Sequence, residues 1–509
     1  MRTALTVCFV LALAACDKNE SSSGPPAPAA SGATAAQPSA SPGAAPKAAT
    51  DVAWSTTNAD ALAAFKLGVD MLDNARLDEA REQFTKAKGL DPKFLAAAAM
   101  EGVSTPGPDG DKLIADALAQ AGSLPEPERV SMQIAQAGHA DDLPKAAEHA
   151  KKLTELVPGS WHAWFTYGRF LNATGKRDEA MVALKKAIDT DATAAVPYND
   201  LAYVELAGGK TDDSIAHFRK YAEMRPKEPN PQDSLGEALL MAGKYDDAEA
   251  AYKKAIDLDA KFIGAWEGLA MVRLYKGDWA GAYDAYGKLR DAAPNVDEKG
   301  FAYSEIARAQ LAQNKAADAL KTLDAWDADA TKAKAEHSAM WASLNRAGIL
   351  IDAGKPADAL KLLATIGDKL DKMPPGTALK TRWHALQHSS EVLADARLSK
   401  KDDADKALAG LVEAVGSSTD AQLQGLVAFG RGEVALAKGD AKGAAAAMQS
   451  CWDLDDYCVL ERSKALDAAG DKAGAAAARD KLTKTHRRDA VSFYAWTKVA
   501  PAPTPMAKK

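Results

Sequence analysis

One short sequence recurs at a fixed step. Gly175-Lys176, Gly209-Lys210, Gly243-Lys244 and Gly277-Asp278 stand 34 residues apart. Each glycine lies between two apolar helical patterns, where it can take the left-handed conformation that ends a helix. A period of this length holds two helices and a turn. Such a pair is too small to bury its own apolar faces, so it must stack on the next one. Residues 161–294 therefore read as four back-to-back helical hairpins.

Other positions keep the same register. The first helix of each unit carries a large residue and then a bulky–small pair: Trp164 with Tyr167-Gly168, Tyr198 with Leu201-Ala202, Gln232 with Leu235-Gly236, Trp266 with Leu269-Ala270. The second helix opens with Ala180, Ser214, Ala248 or Ala282. A turn later comes Leu184, Phe218, Tyr252 or Tyr286, and the unit closes at Ala192, Pro226, Ala260 or Pro294. Small residues let two helices approach, and large ones fill the space between hairpins. This pattern resembles the W-x2-L-G-x2-Y…A-x3-F…P signature of the tetratricopeptide repeat family. The resemblance implies an all-α, right-handed superhelical solenoid of antiparallel helix pairs, and an interaction scaffold instead of an enzyme.

On either side the pattern loosens. Residues 51–160 hold one well-formed repeat (Ala64, Leu67-Gly68, Met71, Ala80, Phe84, Ala87, Pro92) and then irregular hairpins, interrupted at Ser104-Thr105-Pro106-Gly107-Pro108. In residues 295–498 the register slips, but turns are expected at Asn314-Lys315, Gly354-Lys355, Gly439-Asp440 and Gly470-Asp471. A last helix near 489–498 is expected to cap the stack, as terminal repeats do. Residues 499–509 read as a Pro-rich tail.

The first fifty residues have a different character. An apolar run from Ala4 to Ala15 follows Arg2 and has the shape of an export signal. It ends Leu13-Ala14-Ala15-Cys16, which resembles the bacterial lipoprotein box. That resemblance implies removal of residues 1–15, acylation of Cys16, and a chain anchored to a membrane and facing the periplasm or the cell surface. Residues 16–50 are rich in Ala, Pro, Ser and Gly and read as a disordered tether, spanning roughly 30 Å on average and at most about 110 Å.

Net charge is −7 with acids and bases interleaved, so no basic stripe invites nucleic acid. His384 and His388 would share a helix face near Glu391, but residue 385 is Ala and the H-E-x-x-H zinc pattern is absent. Gly209-Lys210-Thr211 lacks the upstream glycine of a phosphate loop. No catalytic constellation, metal or cofactor is expected. In an exported chain Cys451 and Cys458, across a short connection, are expected to form a disulfide.

The tetratricopeptide resemblance implies that first helices line a concave groove. Its positions fall on Phe165, Arg169 and Asn172, on Asn199 and Tyr203, on Asp233 and Glu237, on Glu267 and Met271, and on Ser304 and Arg308. The acidic middle suits an extended peptide or partner helix with positive charge, supplied by an envelope protein. The alternative is a carbohydrate- or peptidoglycan-binding module that uses Phe165 and Tyr203.

Overall fold

The structure, a computed structural model, describes residues 51–500 apart from 75, 374–377, 419 and 452–454. The leader, Cys16 and the tether lie outside the described residues, as do residues 501–509. The described chain is all-α, built of antiparallel helix pairs stacked in sequence. It forms two compact units that part between Pro231 and Gln232.

The N-terminal unit pairs α1 (Ala59–Asp73) with α2 (Leu77–Leu90), α3 (Leu95–Val103) with α4 (Pro108–Gln120) and α5 (Glu126–His139) with α6 (Leu143–Leu156). It continues with α7 (Trp161–Ala173), α8 (Arg177–Thr190), α9 (Val196–Ala207) and α10 (Thr211–Met224). The unit boundary falls within α11 (Pro229–Met241). The C-terminal unit runs on through α12 (Tyr245–Leu258), α13 (Ile263–Tyr275), α14 (Trp279–Ala292), α15 (Val296–Ala312), α16 (Ala316–Ala333), α17 (Glu336–Asp352) and α18 (Pro356–Asp371). It ends with α19 (Ala378–Arg397), α20 (Lys401–Val415), α21 (Ala421–Lys438), α22 (Ala441–Ala447), α23 (Asp456–Ala468), α24 (Lys472–Lys484) and α25 (Ala490–Thr497).

The turns need a left-handed residue. Gly175, Gly209, Gly243 and Gly277 have φ between 69° and 79°, where a side chain would be strained. Later turns keep the conformation and vary the residue: Asn314 (φ 60°), Gly354 (φ 76°), Ser399 (φ 58°), Gly439 (φ 87°) and Gly470 (φ 83°).

The slip in register past residue 294 has a simple cause. Helices α7 and α14 have 13 and 14 residues, whereas α15, α16, α19 and α21 have 17, 18, 20 and 18. An extra turn of helix lengthens the repeat without disturbing the pairing.

Two packing devices recur. A large polar-tipped residue of the first helix donates to the carbonyl six residues back: Trp164 to Pro158 (3.0 Å), Tyr198 to Ala192 (3.4 Å), Trp266 to Ala260 (2.9 Å). Each bond satisfies a carbonyl in the connection between pairs. The second device is a glycine under a ring. A Cβ on Gly268 would fall 2.1 Å from the Tyr252 ring, and one on Gly236 would fall 2.8 Å from it. Tyr252 is fully buried between them. Leu235, at the bulky position of the same unit, is only partly buried.

The last helix does more than the expected cap would. All seven residues from Ala490 to Trp496 are buried, and α25 packs on α13, α15, α23 and α24. From the last pair, α23 and α24, it reaches back to earlier first helices of its own unit, α13 and α15. The structure also joins Cys451, just past α22, to Cys458 in α23 by a disulfide, with Cα atoms 6.5 Å apart.

Candidate partner-binding grooves

In the C-terminal unit, acidic residues project from successive first helices: Asp233 and Glu237 from α11, Glu267 from α13, Glu305 from α15. Asp233, Glu237 and Glu267 surround one cation from the far end of the chain. Arg488 Nη1 is 2.9 Å from Asp233 Oδ2 and 3.9 Å from Glu237 Oε2; its Nη2 is 3.4 Å from Glu267 Oε2. Nη2 also donates to the Gly264 carbonyl, and the guanidinium lies 5.4 Å from the centre of the Tyr252 ring. Burial alone would lower the Arg488 pKa. Asp233, Glu267, Tyr252 and Glu237 outweigh it and hold the guanidinium charged, well above its ordinary value. Burial raises Glu237, against the pull of Arg488.

Beyond Arg488 the contacts become aromatic. Asp489 caps α25 by accepting from the Ser492 N–H at 2.6 Å. Glu305 accepts the Ala490 N–H at 2.7 Å and the Tyr286 hydroxyl at 3.4 Å. Burial, then the Asp489 and Glu267 charges, push the Glu305 carboxyl well above the usual range. The Tyr275 ring meets Phe493 at 5.1 Å, Trp496 at 5.3 Å and His486 at 5.1 Å, edge to face. Arg308, fully buried and paired with Asp352, lies 5.2 Å from the Tyr494 ring. The acidic middle that was expected to attract positive charge therefore already holds one, supplied by the chain itself. Met271 is buried beneath the Tyr286 hydroxyl (3.0 Å from its sulfur), and Ser304 is buried with its hydroxyl on the Phe301 carbonyl.

In the N-terminal unit the end of α1 takes the corresponding place. Asp73 lies 3.0 Å from His162 Nε2 and 3.7 Å from Arg169 Nη1, and Arg169 Nε is 3.3 Å from Asp200. Burial would lower the His162 pKa, but Asp73 holds it above its ordinary value. Arg225 reaches Asp70 at 3.0 Å, and the Tyr221 hydroxyl donates to Asn74 at 3.4 Å. Phe165 corrects the groove expectation: it is fully buried among Leu171, Leu184 and Val196, with Arg169 stacked 5.3 Å from its ring. Its position points into the pair because the ring fills space against Trp161. Asn172 and Asn199 are half-buried, Asn199 donating to Asp200, and Tyr203 packs edge-on to Phe218 at 4.8 Å. The glycan alternative thus loses Phe165 as a stacking platform.

Among the described residues no three His, Cys, Asp or Glu side chains come together to hold a metal. His384 and His388 stack at 6.0 Å, and His388 pairs with Glu391 at 2.9 Å.

Sequence reasoning missed Arg488, Asp489, Glu305 and Tyr275. A signal was present for the first two. Ala490–Trp496 has no polar face apart from Ser492, and a helix that is apolar all round belongs inside a fold, not at its end.

Residues 162–193 and 199–261 match the family described as Tetratricopeptide repeat. These segments are similar to tetratricopeptide repeats. Several solved structures are similar to the repeat-bearing chain. A crystal structure of MamA is 21% identical with a TM-score of 0.30, covering 31% of this chain and 93% of that one. A tetratricopeptide repeat protein from Parabacteroides merdae is 13% identical with a TM-score of 0.36, over 59% and 97% of the two chains. YrrB, described as "a TPR protein with an unusual peptide-binding site", is 18% identical with a TM-score of 0.29, over 36% and 92%. No curated protein matches the chain.

Proposed function

We propose that this chain is an interaction scaffold of the bacterial cell envelope. It is exported, acylated at Cys16, lifted from the lipid by residues 16–50, and faces the periplasm or the cell surface. Its C-terminal unit takes a segment of an envelope protein in the groove lined by Asp233, Glu237 and Glu267. One observation supports the reading above others: the carboxylates of three residues on two successive first helices converge on a single guanidinium beside a row of aromatic rings. Such an arrangement binds a segment by charge at one end and by apolar area at the other.

The test is crosslinking in the native cell, from a photo-reactive residue placed at Glu237, followed by mass spectrometry. Crosslinks to an envelope protein that vanish on Glu267→Lys are expected. Crosslinks confined to other faces would sink the groove reading. Separately, Cys16→Ala should move the protein from the membrane to the soluble fraction, and retention in the membrane would refute the anchor.

A further inference from the structure

Residues 486–496 occupy the groove of the C-terminal unit as a ligand would. The segment leaves α24 with Thr485 extended (φ −97°, ψ 109°) and reaches Asp489 still extended (φ −156°, ψ 147°). Its hold is ordered along the sequence: a cation at Arg488, a helix cap at Asp489, then Phe493, Tyr494 and Trp496 against Tyr275, Trp279, Arg308 and one another.

The fit is incomplete. Asp233 Oδ1, the Tyr252 hydroxyl, Arg488 Nε and Trp496 Nε1 are buried with no hydrogen-bond partner. Three carboxylates also share one guanidinium. Unsatisfied buried polar groups raise the energy of the docked state and so favour its opening.

We infer that this groove is an exchangeable peptide site: residues 486–496 fill it in cis, and the ligand it takes in trans is a partner's helical segment bearing an arginine, then an acidic helix cap, then aromatic residues. The aromatics fall five, six and eight places after the arginine, as Phe493, Tyr494 and Trp496 do after Arg488. The inference rests on the scaffold reading and names the chemistry of its ligand. A short connector gives the cis segment an effective concentration on the order of millimolar. A trans segment of the same chemistry therefore loses until the cis segment is weakened.

The test uses the full chain and a fluorescent synthetic peptide of residues 485–499, followed by anisotropy. Arg488→Glu sets the cis segment against three carboxylates and should release it. The peptide should then bind at least about tenfold more tightly than it binds the unaltered chain, and adding Glu267→Lys should reverse the gain. Failure to bind the Arg488→Glu chain, with helix content retained and residues 490–497 exchanging freely, would overturn the inference. So would binding indifferent to Glu267→Lys. Should Arg488→Glu unfold the unit, hydrogen exchange on the unaltered chain decides. Faster exchange at 490–497 under excess peptide supports the site; no change at millimolar peptide refutes it. A concentration-dependent dimer that resists the peptide would assign the groove to a second copy and also refute it. Peptide failure with cellular crosslinks still mapping to the groove would sink this ligand chemistry and leave the scaffold standing.

Discussion

Arg488 Nη1 donates to Asp233 Oδ2 at 2.9 Å across 255 positions of sequence. Nothing local brings the two together. The contact forms only when α11 and the segment after α24 are both in place, so it reports the assembly of the whole C-terminal unit.

Removing the arginine should therefore hurt more than removing one of its partners. Arg488→Ala leaves Asp233, Glu237 and Glu267 facing one another in a buried site, a loss of about 3–5 kcal/mol in the docking of α25. Asp233→Ala leaves two carboxylates to serve the guanidinium and should cost less. Hydrogen exchange over 490–497 measures both; equal effects would mean that the guanidinium is not shared.

Docking of α25 should weaken as the solution becomes more alkaline. Burial, and the Asp456 charge after it, lift Asp489 from 3.8 to about 7, and Glu305 stands well above 4.5. Arg487 and the Ser492 N–H pull Asp489 the other way without prevailing. A carboxyl raised in the folded state binds its proton where the undocked one has lost it. Its contribution is full below the undocked pKa and lost as pH rises from about 4 through about 7 for Asp489. Exchange at 490–497, corrected for intrinsic rate, should show more opening at pH 8.5 than at pH 6, and protection that grows with pH would contradict this.

Two glycines only nineteen residues apart should respond in opposite senses. Gly268→Ala would press a methyl into the Tyr252 ring, 2.1 Å away, and should destabilise by about 1–3 kcal/mol or more. Gly287, within α14, has nothing within 4 Å of an added Cβ, so Gly287→Ala should stabilise by about 0.5–1 kcal/mol. Urea unfolding followed by far-UV dichroism would read both. A neutral Gly268→Ala would show that Tyr252 can move aside.

In the N-terminal unit the Arg225–Asp70 pair should be weak. Asp70 keeps 45% of its side chain exposed, and Arg225 has a second partner in Glu228 at 3.0 Å. A double-mutant cycle with alanine at both positions should return a coupling of under about 1 kcal/mol, shrinking with salt. A coupling above about 2 kcal/mol would mark the pair as a structural clamp.

How much was legible follows from where the information lies. The repeat was readable because its determinants are local: a left-handed glycine, and a glycine set one helix before the ring that covers it, as with Gly236 and Tyr252. That Asp233, Glu237 and Glu267 come together was readable, since their phase within the repeat places them on one face. Phe165 was misplaced because the same phase can serve a groove or the interior, and the presence of Trp161 beside it decided for the interior. Past Pro294 the period dissolved because α15 and α16 gained a turn each, a change that helical periodicity absorbs without trace. The occupant of the groove was hidden for another reason. No short-range pattern links Arg488 to Asp233, and only the uniformly apolar face of α25 hinted that it had to be enclosed.

The position of α25 also sets an order of events at the ribosome. Glu305 is made 185 residues before Ala490, whose N–H it will hold. At about 5–20 residues per second, those residues take roughly 10–40 s to emerge. Until then no copy can close its groove with its own segment, whether the groove folds at the ribosome or only after export.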